Sequence, residues 1–122
     1  GRYIFTDKYR GRVLSVDGFR SALVEFIDNS RSKRFDILPA IIERLQSLHQ
    51  TIAGLANYRF YSGSLLVVYD GWPSADSIDL RMIDFAHSIL LPAVTNDDGS
   101  SGEFEPDRDY LFGLERLIDV FR

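Results

Sequence analysis

The chain has 122 residues, of which 45% are apolar and 26% charged, and its formal net charge at pH 7 is −4. These values are typical of one small soluble domain with a single core. No apolar run is long enough to cross a bilayer, and charged residues interrupt the N-terminal apolar clusters, so we expect no signal peptide. The absence of cysteine excludes disulfides and thiolate metal sites and favours an intracellular location, cytoplasmic and/or nuclear.

The charge is unevenly distributed along the chain. Residues 1–34 hold eight Lys or Arg against four acidic side chains, whereas the remainder holds six basic against fourteen acidic side chains. This asymmetry indicates either an anion site beside a cation site or solvated surface charge without a function. The net acidic charge, together with a basic stretch that matches no known nucleic-acid module, argues against nucleic-acid binding.

Two amphipathic helices are predicted in the first half. Ser15 is a candidate N-cap for the first, and residues 28–30 (DNS) indicate its end. Its apolar residues are Val16, Phe19, Leu23, Phe26 and Ile27. The apolar stripe of the second is Leu38, Ile41, Ile42, Leu45, Leu48, Ile52 and Leu55. Pro39 is tolerated in the first turn of this helix, and Gly54 lies near its end.

The pattern changes after Asn57. Residues 58–70 (YRFYSGSLLVVYD) are rich in aromatic and β-branched side chains and predict one long strand that ends at an Asp-Gly turn. Residues 71–77 (GWPSADS) predict a loop, and residues 78–87 (IDLRMIDFAH) alternate as a second strand. We expect the two strands to pair as an antiparallel hairpin.

The last third predicts a polar, acidic surface loop over 92–107 and a final helix capped by Asp107 or Asp109. The buried stripe of that helix is Tyr110, Leu111, Leu114, Leu117, Ile118 and Phe121. The fold class predicted for residues 1–122 is therefore α+β, a single domain in which an antiparallel hairpin packs with two amphipathic helices and a C-terminal helix.

Asp84 lies in the second predicted strand, on the face that alternation gives to Leu80 and Met82. A carboxylate buried there without a partner would be costly, so a cation or hydrogen-bond donors should lie close to it. One candidate partner is Arg81, or another arginine, in a structural ion pair. The other is a divalent metal ion on a nucleotide, because Mg²⁺ prefers one or two carboxylates plus phosphate oxygens.

Three segments carry a resemblance to a known family, and their order along the chain supports it. They are FYSGSLLVVYDG at 60–71, LRMIDFAHS at 80–88 and DRDYLFGLERLIDVF at 107–121. Together they resemble the C-terminal part of the inositol polyphosphate kinase family, whose Ser-Leu-Leu and Ile-Asp-Phe signatures would be residues 64–66 and 83–85. Residues 7–29 (DKYRGRVLSVDGFRSALVEFIDN) most resemble the inositol hexakisphosphate kinase branch. The resemblance covers nearly the whole chain.

The resemblance implies roles for individual residues. Asp84 would be the catalytic, metal-binding carboxylate that holds Mg²⁺ against the phosphates of ATP, as the Asp of Asp-Phe-Gly does in protein kinases. Ser64 would support the nucleotide and metal with its hydroxyl; otherwise it is a small polar residue in a hairpin. His87 would face the inositol phosphate, as in the multikinase branch; otherwise it is a surface or core histidine.

The basic segment gains a role from the same resemblance. Lys8, Arg10 and Arg12 would bind a substrate that carries six phosphates, because cationic donors and arginine forks suit phosphate.

The implied reaction transfers the γ-phosphoryl group of ATP to inositol hexakisphosphate and gives a diphosphate. The alternatives are an inositol trisphosphate kinase or multikinase of the same family, and a non-catalytic lobe that binds inositol phosphates or a protein partner.

The sequence departs from the family in two places. The Pro-x-x-x-Asp-x-Lys-x-Gly stretch and the N-terminal lobe with its ATP-gripping lysine are absent, and residues 71–77 are short for the inositol hexakisphosphate kinase branch. This implies a C-terminal lobe that was cut from a longer enzyme, or trimmed residues, or a missing half elsewhere in the assembly. We expect the N-terminal lobe of the same enzyme as a partner, and no turnover by this piece alone.

Overall fold

The computed structural model describes residues 5–72, 77–91 and 105–122. These residues fall into two compact units, which divide between Phe35 and Asp36. The predicted loops over 71–77 and 92–107 lie largely outside the described residues. Within the described part of the chain, no helix has both the length and the apolar character needed to span a membrane.

Two α-helices lie within the described residues of the first unit. The five-residue helix α1, Lys8–Arg12, is capped by Asp7, whose carboxylate accepts a 2.9 Å hydrogen bond from the backbone N–H of Arg10. Helix α2, Val16–Phe26, begins at the predicted cap, where the Ser15 hydroxyl oxygen accepts from the N–H of Gly18 at 3.0 Å. Helix α1 was not predicted from the sequence, because KYRGR carries no apolar stripe.

The second unit is organised around helix α3, Leu38–Ala53, which follows a 3₁₀ helix, Phe35–Ile37. Helix α3 starts with proline in its first turn and ends at Gly54, as predicted. Helix α4, Arg108–Phe121, is capped by Asp107, the first of the two predicted candidates. All three predicted helices are therefore confirmed, although no residue of α2 itself is buried.

The core of the second unit lies between α3, α4 and the strands, because α3 contacts both α4 and β3. Its buried apolar side chains are Ile37, Ile41, Leu45, Ile52, Ile78, Leu114, Ile118 and Phe121. Seven of these eight come from the predicted helix segments and their flanks, and each such side chain contributes on the order of 1.5–3 kcal/mol when fully buried.

The predicted hairpin is confirmed in its pairing but not in its continuity. Four strands are described, β1 Tyr58–Tyr61, β2 Ser64–Val68, β3 Asp79–Ile83 and β4 His87–Leu90. They form two two-stranded antiparallel sheets, β1 with β4 and β2 with β3. The prediction of two long strands was wrong, since residues 62–63 interrupt the first and residues 84–86 interrupt the second.

The turn after β2 follows its predicted chemistry. The carboxylate of Asp70 accepts a 2.9 Å hydrogen bond from the N–H of Trp72, and the Ser77 hydroxyl oxygen accepts from the N–H of Asp70 at 3.2 Å. The first of these is an Asx turn, the local bond that makes Asp a common turn residue. The second bond joins a residue that follows β2 to one that precedes β3.

Candidate functional site

The candidate site is the point at which both long segments of the hairpin break. The pairs on either side of the break are Tyr61↔His87 in the first sheet and Ser64↔Ile83 in the second. Ser62 on one segment and Asp84 on the other both have left-handed backbone conformations, with φ of 57° and 64°. Left-handed conformations are uncommon for residues other than glycine. Both segments therefore leave the extended conformation of a strand at the break.

Asp84 lies at this break and not inside a strand. Its side chain is exposed, which overturns the expectation of a carboxylate buried on the face of Leu80 and Met82. The left-handed φ resets the alternation of side chains, so counting along an unbroken strand gave the wrong environment. Aspartate tolerates this conformation better than most residues because its short side chain bonds locally.

The predicted ion-pair partner of Asp84 is engaged elsewhere. The Nε of Arg81 lies 3.0 Å from Oδ2 of Asp79, two residues earlier on the same strand. In the described part of the chain, no side chain forms an ion pair with Asp84, and no three His or acidic residues cluster as metal ligands. Asp84 is therefore an exposed carboxylate that a ligand can reach.

Ser64 and His87 both flank the break. Ser64 is exposed at the start of β2 and pairs with Ile83, the residue directly before Asp84. His87 is exposed at the start of β4, and the turn that leads to it is closed by a 2.9 Å hydrogen bond from the N–H of Ser88 to the carbonyl of Phe85. The structure thus brings three of the six predicted site residues to one place.

The other three predicted site residues lie together on α1 in the first unit. Lys8, Arg10 and Arg12 are all exposed, and the Nζ of Lys8 lies 5.3 Å from the ring centroid of Tyr9. Since Lys8 and Arg12 are four residues apart, they share one face of the helix, whereas Arg10 lies on the opposite side. Helix α1 therefore presents two exposed cations on one face and a third on the other.

Asp107 is a buried carboxylate that links helix α4 to strand β1 near the break. It is only 6% exposed, and its two carboxylate oxygens accept from two elements: Oδ1 from the N–H of Tyr110 at 3.1 Å, and Oδ2 from the N–H of Phe60 at 2.9 Å. The first bond caps α4, and the second joins α4 to β1. The sequence predicted the cap, but nothing in it signalled the bond across 47 residues.

Tyr110 fills the space between α4 and the break. Its ring meets the ring of Phe60 edge to face at a centroid distance of 5.9 Å. A Cβ added at Gly63 would lie 4.0 Å from Cε2 of Tyr110 and 3.4 Å from Cε of Met82. Burial raises the pKa of the Tyr110 phenol above its ordinary value, and the negative charge of Asp107 raises it further.

A separate open cleft of about 400 Å³ lies between α3 and α4. It is lined mainly by polar side chains, among them Gln46, Gln50 and Asp119. The Nε2 of His49 and Oε1 of Glu115 lie 3.0 Å apart across it. None of the predicted site residues lines this cleft, so it is distinct from the break in the hairpin.

Solved structures share this fold. The chain superposes on an inositol phosphate multikinase of S. cerevisiae, solved with ADP and Mn²⁺, with a TM-score of 0.75, 24% identity and coverage of 94% of this chain and 49% of that one. A second inositol phosphate multikinase structure gives a TM-score of 0.73, 27% identity and coverage of 96% and 52%. The architecture is that of an inositol phosphate kinase lobe, which confirms the predicted α+β class.

The chain belongs to the inositol polyphosphate kinase family, whose model matches residues 1–122. Among curated relatives, mouse inositol hexakisphosphate kinase 3 is 40% identical over 98% of the chain, and human inositol hexakisphosphate kinase 1 is 33% identical over the same share. The chain spans only 33% and 37% of those two proteins. The predicted family is therefore confirmed, and the branch named from residues 7–29 is the one to which these relatives belong.

Proposed function

We propose that the protein is an ATP-dependent inositol phosphate kinase that phosphorylates inositol hexakisphosphate, and that this chain is the C-terminal lobe of its catalytic domain. The observation that carries the proposal is the similarity to inositol hexakisphosphate kinases, at 33–40% identity over 98% of the chain. In the proposed reaction, an acceptor phosphate oxygen forms a bond to the γ-phosphorus of ATP. The bond from that phosphorus to the β–γ bridging oxygen breaks, and ADP leaves.

Asp84 is proposed as the metal-binding residue. Its carboxylate is exposed and free of a protein cation among the described residues, which fits a single Mg²⁺ shared with nucleotide phosphates. When bound, Mg²⁺ would neutralise charge on the transferring phosphate. Ser64, which is paired with the neighbour of Asp84, is proposed to orient the nucleotide with its hydroxyl.

Lys8, Arg10, Arg12 and His87 are proposed to bind the inositol phosphate. The three α1 residues are exposed cations, and charge-assisted hydrogen bonds to phosphate are about twice as strong as neutral ones. His87 begins the strand that follows the Asp84 turn, so it stands three residues from the proposed metal ligand. The main requirement of phosphoryl transfer is an acceptor held in line with the transferring group, and binding of the acceptor phosphates serves it.

The N-terminal lobe of the same enzyme is proposed as the partner of this lobe. Leu66 and Val68 on β2 are 45% and 52% exposed, so this strand presents apolar surface that a second lobe can cover. We also propose that the protein is intracellular, in the cytoplasm and/or the nucleus.

Product analysis of the full-length protein tests the reaction. Incubation with Mg-ATP and inositol hexakisphosphate should give a product whose ³¹P spectrum shows a diphosphate linkage. Monoester products alone, made from less phosphorylated inositols, would instead support a multikinase or trisphosphate kinase, a reading favoured by the multikinase structure at 27% identity. Calorimetric binding of inositol hexakisphosphate without any transfer would support a non-catalytic lobe.

A further inference from the structure

We infer that Asp107 is a positioning residue that fixes the break in the hairpin and thereby the placement of Ser64 beside Asp84; this inference rests on the proposed kinase function. Asp107 is a buried carboxylate whose two oxygens accept from the N–H groups of Tyr110 and Phe60, at 3.1 and 2.9 Å. A helix cap alone needs one acceptor oxygen, and an asparagine or serine can supply it. The second oxygen, used by β1, is the feature that capping leaves unexplained.

The residue that Asp107 binds, Phe60, lies close in sequence to the break. Phe60 is two residues before Ser62, where the left-handed conformation begins the break, and four residues before Ser64. Its register partner in β4 is Ser88, so Asp107 ties the first sheet to α4 on the side of the break away from Ser64. A residue held in an uncommon conformation persists only when its surroundings enforce it.

Tyr110 extends the same support to the other side of the break. Its backbone N–H donates to Asp107, its ring packs on Phe60, and Cε2 would lie 4.0 Å from a Cβ added at Gly63. The same added Cβ would lie 3.8 Å from the carbonyl oxygen of Ile83, which precedes Asp84. Tyr110 and the Ile83 carbonyl therefore both lie close to Gly63 at the break, while Asp107 and Tyr110 hold Phe60.

The substitution Asp107→Asn separates this role from capping. Asparagine keeps one acceptor oxygen, which suffices for the cap, and places an NH₂ group against one of the two N–H donors. Asp109→Asn is the matched control, because Asp109 is exposed in the first turn of the same helix and the change in charge is identical. Both variants are made in the full-length protein.

Two measurements decide the inference. In Asp107→Asn, the Mg²⁺ concentration for half-maximal rate should rise about tenfold, with the KM for the inositol phosphate unchanged within about twofold. Amide hydrogen exchange should become faster at Phe60 and also at Ser64 and Asp84, but not at Leu45 in α3. Asp109→Asn should match the wild type in both measurements.

An unchanged Mg²⁺ requirement in Asp107→Asn would overturn the inference. So would faster exchange confined to Phe60, or exchange that rises equally in α3, because the first is local and the second is general loss of stability. If the wild-type protein transfers no phosphate, the proposed kinase function fails. The exchange pattern then decides by itself whether Asp107 fixes the break.

Discussion

Ser62 and Asp84 interrupt the two sides of one hairpin at the same level, and both do so with a left-handed backbone, at φ 57° and 64°. The pairs Tyr61↔His87 and Ser64↔Ile83 enclose the interruption. Each such residue costs about 1–2 kcal/mol relative to a right-handed conformation when it is not glycine. The hairpin retains this cost at the point where the family signatures Ser-Leu-Leu and Ile-Asp-Phe meet.

The strain at Ser62 predicts the effect of substitutions on stability. Ser62→Gly should leave the free energy of unfolding unchanged or raise it by up to about 1 kcal/mol, because glycine adopts a positive φ without steric cost. Ser62→Val should lower it by more than about 1 kcal/mol, because a β-branched residue fits this conformation poorly. Denaturant unfolding of the two variants measures the difference, and equal stabilities would show that Ser62 is not strained.

The helices could be predicted from the sequence because their signals are local. Apolar residues at helical spacing define the stripe of α3, and the caps Ser15 and Asp107 precede the first turns of α2 and α4. Strand pairing also followed from alternation and the Asp70 turn. Helix α1 has a cap in Asp7 but no apolar stripe, and none of its five residues is buried.

The environment of Asp84 could not be predicted in the same way. Alternation assigns faces only while the strand is continuous, and one left-handed residue ends that rule. The Ser-Gly pair at 62–63 was the available signal, since this dipeptide marks turns and a glycine within a strand pattern indicates a bulge. The Asp107 bond to Phe60 joins residues 47 apart and has no local signature.

The cationic face of α1 predicts a selective effect on substrate binding. Lys8→Ala and Arg12→Ala should each raise the KM for the inositol phosphate about tenfold with little change in kcat, because one charged hydrogen bond contributes roughly 1.5–3 kcal/mol. Arg10→Ala should have a smaller effect, since Arg10 lies on the opposite side of the helix. Steady-state kinetics of the full-length variants provides the measurement.

Arg20→Ala is the control for these variants, because Arg20 is an exposed cation of α2 in the same unit. Its KM should stay near the wild-type value, and the loss of affinity in Lys8→Ala should shrink at high salt as screening weakens all phosphate contacts. An equal loss in all four variants would mean that the first unit acts through its net charge alone.

The raised pKa of Tyr110 predicts a pH dependence of stability. Because the folded pKa lies above the unfolded value of 10.0, the neutral phenol stabilises the fold below pH 10, and this contribution is lost as pH rises through the folded pKa. The free energy of unfolding should therefore fall with pH above 10 more steeply in the wild type than in Tyr110→Phe. Identical curves for the wild type and Tyr110→Phe would contradict the assignment.

The metal dependence of Asp84→Asn tests the central claim, that an exposed carboxylate at the hairpin break holds the divalent ion for phosphoryl transfer. In the full-length protein, this variant should lose at least about 100-fold in Mg²⁺-dependent kcat, because a metal ion contributes several kcal/mol of charge stabilisation. Its melting temperature should be unchanged, since the Asp84 side chain is exposed. Asp79→Asn, the matched change on β3, should keep wild-type turnover and metal requirement. Wild-type turnover and Mg²⁺ dependence in Asp84→Asn would contradict the claim.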